Sequence, residues 1–232
     1  MSRVARILST VLITAGLVVM LDVGLTLAYK EPVSSIYGQL KQDAAENQLS
    51  DLESRYPTAA DLAAIRGVRG VEGKAAVLAH RFGETTKTGE AIGRIIAPGM
   101  GANAVVVQGT DTASLQKGPG HYPDTPFPGE GGTIGIAGHR TTYLAPFRHI
   151  DSMERGDTVT LEMPYGTFRY RVEKTQIVDD SAVGIVKRVG YERLVLTACH
   201  PLYSAAQRFA IFARLVDTAI FDAARGGRFQ IN

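Results

Sequence analysis

The chain has 232 residues, of which 45% are apolar and 21% are charged, a composition typical of globular rather than disordered proteins. This length predicts one catalytic or binding domain of ordinary size with additional segments. The formal net charge of +2 is too small to indicate a nucleic acid or another highly charged polymer as partner. The only cysteine, Cys199, excludes an intramolecular disulfide, and its thiol is available either for packing or for chemistry.

The first predicted element is a membrane anchor. Residues 7–28 form an apolar run in which Asp22 is the only charged residue. A helix needs roughly 20 mostly apolar residues to span a bilayer, so we predict a transmembrane anchor over residues 7–29. Asp22 lies about 22 Å along such a helix from Ile7, which places it near the outer interface rather than in the centre of the bilayer.

The charges before this run predict its orientation. Arg3 and Arg6 precede it without a neighbouring acidic residue, which favours residues 1–6 in the cytoplasm and a single-pass chain whose remainder is extracellular. A cleaved signal peptide ending near Ala28 is the alternative. Both interpretations place the rest of the chain outside the cell.

Residues 30–89 are predicted to form a helical juxtamembrane and linker region. Their apolar residues fall loosely at helical spacing, at Ile36, Leu40, Leu49 and Leu52. The segment 58–61 resembles the capping box that begins a helix. We expect a stalk and packing helices here.

From residue 91 the apolar period changes to two, which predicts β-strands. Residues 158–163 and 167–173 alternate polar and apolar positions around a short turn, as in a hairpin. Five shorter apolar runs predict further buried strands, at 92–97, 104–108, 133–137, 194–198 and 209–216. Seven or eight short strands with little helix between them indicate an all-β barrel or sandwich. We assign residues 90–218 to this domain and 219–232 to a C-terminal tail.

Two strand ends carry unusual chemistry. His139 follows an apolar strand, with Gly138 permitting close approach beside it, and Cys199 ends another strand just before Pro201. The next strand opens with Arg208. Acyl transfer needs a thiolate nucleophile, an imidazole that moves the proton, and a donor that stabilises the developing oxyanion. These three residues supply those parts if their strand ends meet.

At this point the sequence resembles the sortase family, over about residues 91–216. Sortases carry a His at the end of a barrel strand, then a Thr-Leu-x-Thr-Cys strand end, then an Arg opening the next strand. His139, Cys199 and Arg208 occur in that order. The chain departs from the motif at Val195 and Ala198, which stand where the family has Thr. Both changes alter the surroundings of the nucleophile without removing a catalytic group.

The segments 120–123 and 138–143 are most similar to class E sortases of actinobacteria. The resemblance implies a closed sortase barrel with Cys199 as nucleophile, His139 as acid/base and Arg208 as charge stabiliser. It further implies cleavage of a Leu-Ala-x-Thr-Gly or Leu-Pro-x-Thr-Gly sorting signal between Thr and Gly, followed by transfer to an amine of a cell-wall peptidoglycan precursor. The partners implied are therefore secreted proteins with a sorting signal and a lipid-linked wall precursor. No metal or organic cofactor is implied.

Class E sortases have a characteristic Tyr before the His strand, and the resemblance implies that Tyr122 helps to shape the peptide site. We expect Thr141 and Thr197 to line that site as well. His200 should point away from Cys199 if the strand stays extended. Other polar residues near these motifs are interpreted as structural or solvated: His80, His121, His149, Asp179 and Asp180. The two aspartates are expected in the loop before the strand that carries Cys199.

Three alternative functions are weighed against the sortase assignment. An L,D-transpeptidase also uses Cys and His, but its Ser-x-Gly-Cys signature is absent around Cys199. In a papain-like protease the Cys precedes the His and opens a helix, whereas here His139 comes first. A membrane-anchored barrel that binds peptides without catalysis is the non-enzymatic alternative, and the presence of all three catalytic residue types argues against it.

Overall fold

The computed structural model describes residues 3–28 and 32–220. The predictions for residues 1 and 2, for the junction at 29–31 and for most of the tail, at 221–232, lie outside the described residues. Five α-helices are described: α1 (Arg3–Ala28), α2 (Pro32–Arg55), α3 (Ala59–Ala64), α4 (Val71–Thr85) and α5 (Thr112–Leu115).

The strands form one closed barrel. They are β1 (Ala91–Ala97), β2 (Ala102–Gln108), β3 (Gly120–His121), β4 (Thr133–Ala137), β5 (Thr158–Met163), β6 (Gly166–Asp179), β7 (Arg193–His200) and β8 (Gln207–Ile220). The neighbour order is β1-β2-β3-β4-β7-β8-β6-β5, and β5 pairs with β1 to complete the ring. The predicted closed all-β barrel with short helices is confirmed, and so is the β5–β6 hairpin.

Two features of the barrel differ from the predicted strand lengths. β3 has only two residues and lies within a Gly- and Pro-rich segment, where no alternation reveals it. β6 continues past the predicted hairpin to Asp179, and this extension pairs with the first half of β8. Its residues 174–177 are all exposed, so their apolar and polar positions follow no period. Asp179 therefore ends a strand rather than lying in a loop.

Helix α4 supplies part of the core. Ala75, Leu78, Ala79 and Phe82 are buried, and their spacing places them on one helical face. They join the same apolar cluster as the barrel interior. The Phe82 ring packs edge-on against Phe127, with centroids 5.5 Å apart. The preceding helix α3 begins with the predicted capping box between Thr58 and Asp61.

Helix α2 packs on the barrel through a stripe that matches the predicted one only in its second half. Leu49 is buried and Leu52 packs against the core, whereas Ile36 and Leu40 are 66% and 64% exposed, which contradicts their expected packing. The contact stripe instead contains Gly38, Gln42, Ala45 and Leu49. The sequence pattern misses it because a glycine and a polar residue occupy two of its positions.

Gln42 explains why a polar residue faces the barrel. Its amide oxygen accepts a hydrogen bond from the Val105 N–H at 2.9 Å, and its Nε2 donates to the Val105 carbonyl at 3.1 Å. Nε2 also donates to the Lys117 carbonyl. β3 is too short to pair with this part of β2. The side-chain amide therefore takes the place of a neighbouring strand, and the buried backbone groups of Val105 are satisfied.

Helix α1 is long and apolar enough to cross a membrane, because its segment Arg3–Gly24 contains an 18-residue window with a mean hydropathy of 2.2. Among the described residues it is the one helix that meets this criterion. Its side chains from Arg3 to Gly24 are exposed almost throughout, so it contributes nothing to the barrel core. It is a candidate membrane anchor by length and composition.

Candidate active site

The strand order brings three predicted site residues to one end of the barrel. β4 and β7 are parallel neighbours with Ala137 opposite Thr197, and the Gly138 N–H extends the ladder to the Thr197 carbonyl at 2.9 Å. β8 runs antiparallel to β7, and Arg208 lies directly opposite Cys199. His139, Cys199 and Arg208 therefore sit at neighbouring ends of β4, β7 and β8.

Cys199 lies on the outer face of β7. Leu194, Leu196 and Ala198 belong to the barrel interior, whereas Val195 packs in a separate outer cluster. Because side chains alternate along a strand, Cys199 shares the outer face with Val195. The cysteine is half-buried, and β7 ends one residue later. The thiol is thus near a surface and outside the sealed interior.

His139 is held in a partly dry environment. The Gly138 position has no room for a side chain, because a Cβ there would lie 2.5 Å from the Phe147 ring. The His139 carbonyl accepts a hydrogen bond from the Phe147 N–H at 3.0 Å, which fixes the backbone beside the imidazole. Its Nε2 is buried without a hydrogen-bond partner among the described residues. Burial lowers the pKa of His139, so the neutral imidazole is favoured at pH 7.

Arg208 is fixed by its own loop. Nη1 donates to the Ala205 carbonyl at 2.8 Å and to the Gln207 carbonyl at 2.9 Å. Both bonds use Nη1, and the guanidinium carries three more N–H donors on Nε and Nη2. The side chain is half-buried, opposite Cys199. A cation in this position can stabilise negative charge that develops next to the thiol.

The predicted peptide-site residues lie on the same outer face or beside it. The hydroxyl groups of Tyr122 and Thr197 are 2.9 Å apart and share a hydrogen bond. The Tyr122 ring lies over β4 at Gly135, where a Cβ would be 2.5 Å from it. Thr197 is buried, so its hydroxyl holds Tyr122, while Tyr122 itself is half-buried. Thr141 is half-buried on the loop after His139.

A buried arginine links the residues that follow His139 and Cys199. Arg140 is 3% exposed, and its Nη1 donates to His200 Nδ1 at 3.3 Å. Its Nε donates to the Arg148 carbonyl at 3.3 Å, and its Nη2 forms an ion pair with Asp151. Partial burial acts to raise the pKa of Asp151, but the bond and charge of Arg140 outweigh it and hold that pKa below its usual range.

Sequence reasoning missed this role of Arg140. The available signal was an arginine next to a candidate catalytic histidine. Nothing in the spacing indicates that Asp151 and His200, 11 and 60 residues further along the chain, converge on it. The consequence is a cross-link between the loop that carries His139 and the end of the strand that carries Cys199.

The other polar residues have structural or exposed positions. His121 is buried and stacks on Phe127, and its Nδ1 donates to the Gln108 side-chain oxygen at 2.8 Å. Burial lowers the pKa of His121 to about 4. His80 and His149 are exposed. The residues Asp179 and Asp180 are also exposed. Within residues 3–28 and 32–220, no group of three or more His, Cys, Asp or Glu side chains could hold a metal ion.

Comparison with known proteins decides the family. Residues 95–216, more than half of the chain, match the sortase domain model. The chain belongs to the sortase family. Sortases are cysteine transpeptidases that act on proteins with sorting signals and on cell-wall precursors, and this sortase has the eight-stranded barrel and the candidate membrane anchor described above.

Relatives from two groups of sortases resemble this chain. Sortase D of Bacillus subtilis is 38% identical over 134 residues, which cover 56% of this chain and 66% of that protein. Sortase SrtE2 of Streptomyces coelicolor is 28% identical over 97% of this chain and 87% of that protein. The structure of sortase E from Streptomyces avermitilis superimposes with a TM-score of 0.53 at 29% identity, covering 61% of this chain and 97% of that one. The predicted similarity to class E is confirmed, and the chain also resembles a sortase D.

Proposed function

We propose that this sortase cleaves a C-terminal sorting signal between Thr and Gly and transfers the protein to an amine of a peptidoglycan precursor. The observation that supports this best is the direct pairing of Cys199 with Arg208 across β7 and β8, with His139 at the adjoining end of β4. In this proposal Cys199 is the nucleophile, His139 the acid/base and Arg208 the charge stabiliser.

The first half of the reaction forms an acyl-enzyme. Cys199 Sγ attacks the Thr carbonyl carbon, and the thiol proton passes to the imidazole of His139. A neutral imidazole is able to accept it, which agrees with the lowered pKa of His139. Arg208 donates to the developing oxyanion. The imidazolium then protonates the Gly nitrogen, the C–N bond breaks, and a thioester remains on Cys199.

The second half reverses these roles. The amine of the wall precursor attacks the thioester carbonyl, His139 takes the proton of the attacking nitrogen, and a new amide bond forms as the C–S bond breaks. The imidazolium returns the proton to the sulfur. The same three side chains therefore serve both steps.

The peptide is proposed to lie on the outer face of β4 and β7. Tyr122 and Thr141 line this site, and Thr197 orients Tyr122 through the hydroxyl hydrogen bond. The similarity to class E sortases favours a Leu-Ala-x-Thr-Gly signal over Leu-Pro-x-Thr-Gly. We further propose that α1 anchors the chain with its N-terminus inside and the barrel outside, because Arg3 and Arg6 precede the apolar run.

Peptide cleavage by the full-length chain in detergent tests this proposal. Fluorogenic peptides with each of the two signals are incubated with and without an oligoglycine amine. We expect cleavage of both, faster for the Ala signal, and an amide product when the amine is present. Cys199→Ala and His139→Ala should each reduce kcat/KM by more than about 10³-fold. Arg208→Ala should reduce it by about 10² to 10³-fold.

Two matched variants control for nonspecific damage. His80→Ala and Arg171→Ala remove an exposed histidine and an exposed arginine, and both should retain full activity. Undiminished turnover in Cys199→Ala would refute the proposed nucleophile. Cleavage at another bond would refute the proposed signal.

A further inference from the structure

The loop between β4 and Ile150 contains a strained segment. Tyr143, Leu144 and Ala145 have φ values of 49°, 67° and 45°, in the left-handed region that non-glycine residues rarely adopt. Such a conformation persists only where surrounding structure determines it. Three consecutive residues of this kind, a few positions after His139, indicate that other elements hold the loop in place.

Helix α2 is one of those elements. A Cβ on Gly38 would lie 2.9 Å from the Tyr143 carbonyl carbon and 3.0 Å from its Cα. The helix backbone therefore contacts the loop backbone directly, and only glycine leaves room for it. The Tyr37 ring meets the Tyr143 ring edge-on at 6.2 Å, and Gln116 Nε2 donates to the Tyr143 hydroxyl at 3.2 Å.

The Tyr143 side chain, which these contacts hold in place, packs on the imidazole of His139. The ring centroids of Tyr143 and His139 are 5.2 Å apart, with 42° between the ring planes. His139 Nε2 is buried and has no hydrogen-bond partner among the residues that the structure describes. The tyrosine ring is therefore part of the packing around an imidazole whose Nε2 is shielded from water.

We propose that Tyr143 is the positioning residue of His139, and that α2 is part of the active site because Gly38 and Tyr37 hold Tyr143 against the imidazole. This inference rests on the proposed acid/base role of His139. It connects the helix that follows the membrane anchor to catalysis, so that displacement of α2 from the barrel uncovers the histidine.

The ionisable groups at this end of the barrel do not account for the environment of His139. They lie on α2, on the same loop, on β7 and on β8: Tyr37, Arg140, Tyr143, Arg148, Asp151, Cys199, His200 and Arg208. Burial alone accounts for the lowered pKa of His139. Removal of the cover should therefore raise that pKa toward the ordinary value of about 6.5.

Gly38→Ala is the decisive variant, measured in the full-length chain. Alanine is a better helix former than glycine, so the substitution does not weaken α2 as a helix and acts through its contact with Tyr143. We expect the new methyl to displace Tyr143 and to lower kcat/KM by about tenfold or more, since small misplacements of catalytic groups are costly. Gly67→Ala is the matched control, because a Cβ there meets open space, and it should leave kcat/KM unchanged.

Histidine titration by NMR provides a readout independent of turnover. The His139 signal is assigned with His139→Gln and followed against pH in the wild type, Gly38→Ala, Tyr143→Ala and Tyr143→Phe. We expect the first two variants to raise the pKa of His139 and Tyr143→Phe, which keeps the ring, to leave it close to the wild-type value. Tyr37→Ala replaces Gly38→Ala if the latter does not fold, and the same upward shift is expected.

The outcomes separate this inference from the proposed function. An inactive wild type would refute the transpeptidase proposal, whereas the titration would still report whether α2 and Tyr143 control His139. Wild-type kcat/KM together with unchanged His139 titration in Gly38→Ala and Tyr143→Ala would overturn the inference.

Discussion

The ion pair between Arg140 and Asp151 leads us to predict different losses of stability when one or the other partner is replaced. The Arg140 side chain is 2% exposed, whereas the Asp151 side chain is 49% exposed. Asp151→Asn removes the counter-charge of a buried guanidinium that cannot be rehydrated. Arg140→Met removes the buried charge itself and leaves a carboxylate that water can reach. The loss of the more exposed partner should therefore cost more stability.

The magnitude follows from these exposures. Breaking a buried ion pair so that one charge stays uncompensated costs about 3–5 kcal/mol, and solvent at Asp151 reduces this to about 2–3 kcal/mol for Asp151→Asn. Arg140→Met leaves the Arg148 carbonyl and His200 Nδ1 without a donor, at about 1–2 kcal/mol in total. The double variant should cost no more than Arg140→Met, because no buried charge remains.

Chemical unfolding of the full-length chain in detergent measures these free energies. The protein has no tryptophan and nine tyrosines, so near-ultraviolet circular dichroism of tyrosine is the suitable signal for barrel packing. Equal stability of Asp151→Asn and wild type would refute the reasoning. A double variant less stable than Asp151→Asn would do so as well.

Three further predictions concern other parts of the barrel. Gln42→Leu should destabilise the fold by about 2–3 kcal/mol, because the N–H and carbonyl of Val105 lose their partner. Gln39→Leu, at an exposed position of the same helix, is the control. Equal free energies of unfolding for the two variants would contradict this prediction. The free energy of unfolding should fall by about 3 kcal/mol between pH 7 and 4, because His121 has a pKa of about 4 in the folded state and about 6.5 in the unfolded state. The unfolded state therefore binds the proton first as the pH falls. A free energy of unfolding that does not change with pH would argue against this. Tyr122→Phe and Thr197→Val should each raise the KM for the peptide about fivefold. The double variant should have the same KM as each single variant, because both substitutions remove the same hydrogen bond. Additive increases in KM would exclude that shared bond.

The sequence predicts well the strands and the candidate catalytic residues at their ends. Alternation is visible wherever one face of a strand is buried, as in β5 and the first half of β6. His139, Cys199 and Arg208 each stand at the boundary of such a strand, so their meeting needs only the right strand order. No strand order follows from the sequence, and it is the barrel that places β4 next to β7 and β7 next to β8.

Contacts between distant segments could not be predicted in this way. Gly38 and Gln42 face the barrel although neither is apolar, so hydrophobic spacing selects Ile36 and Leu40, which are exposed. The two-residue strand β3 is too short to show a period. In the sequence nothing distinguishes Arg140 from an ordinary surface arginine, because its partner Asp151 is identified only in the structure. The partners of Gly38, Gln42 and Arg140 stand at no fixed offset from them in the sequence.

Intact-mass spectrometry of the full-length chain after a short incubation with the sorting-signal peptide tests the central claim most directly. The account predicts a mass increase equal to the peptide up to and including its Thr, less one water, located on Cys199 by fragmentation, lost on addition of an amine and absent from Cys199→Ala. Rapid peptide cleavage with no adduct on Cys199 at any time, or an adduct on another residue, would contradict it.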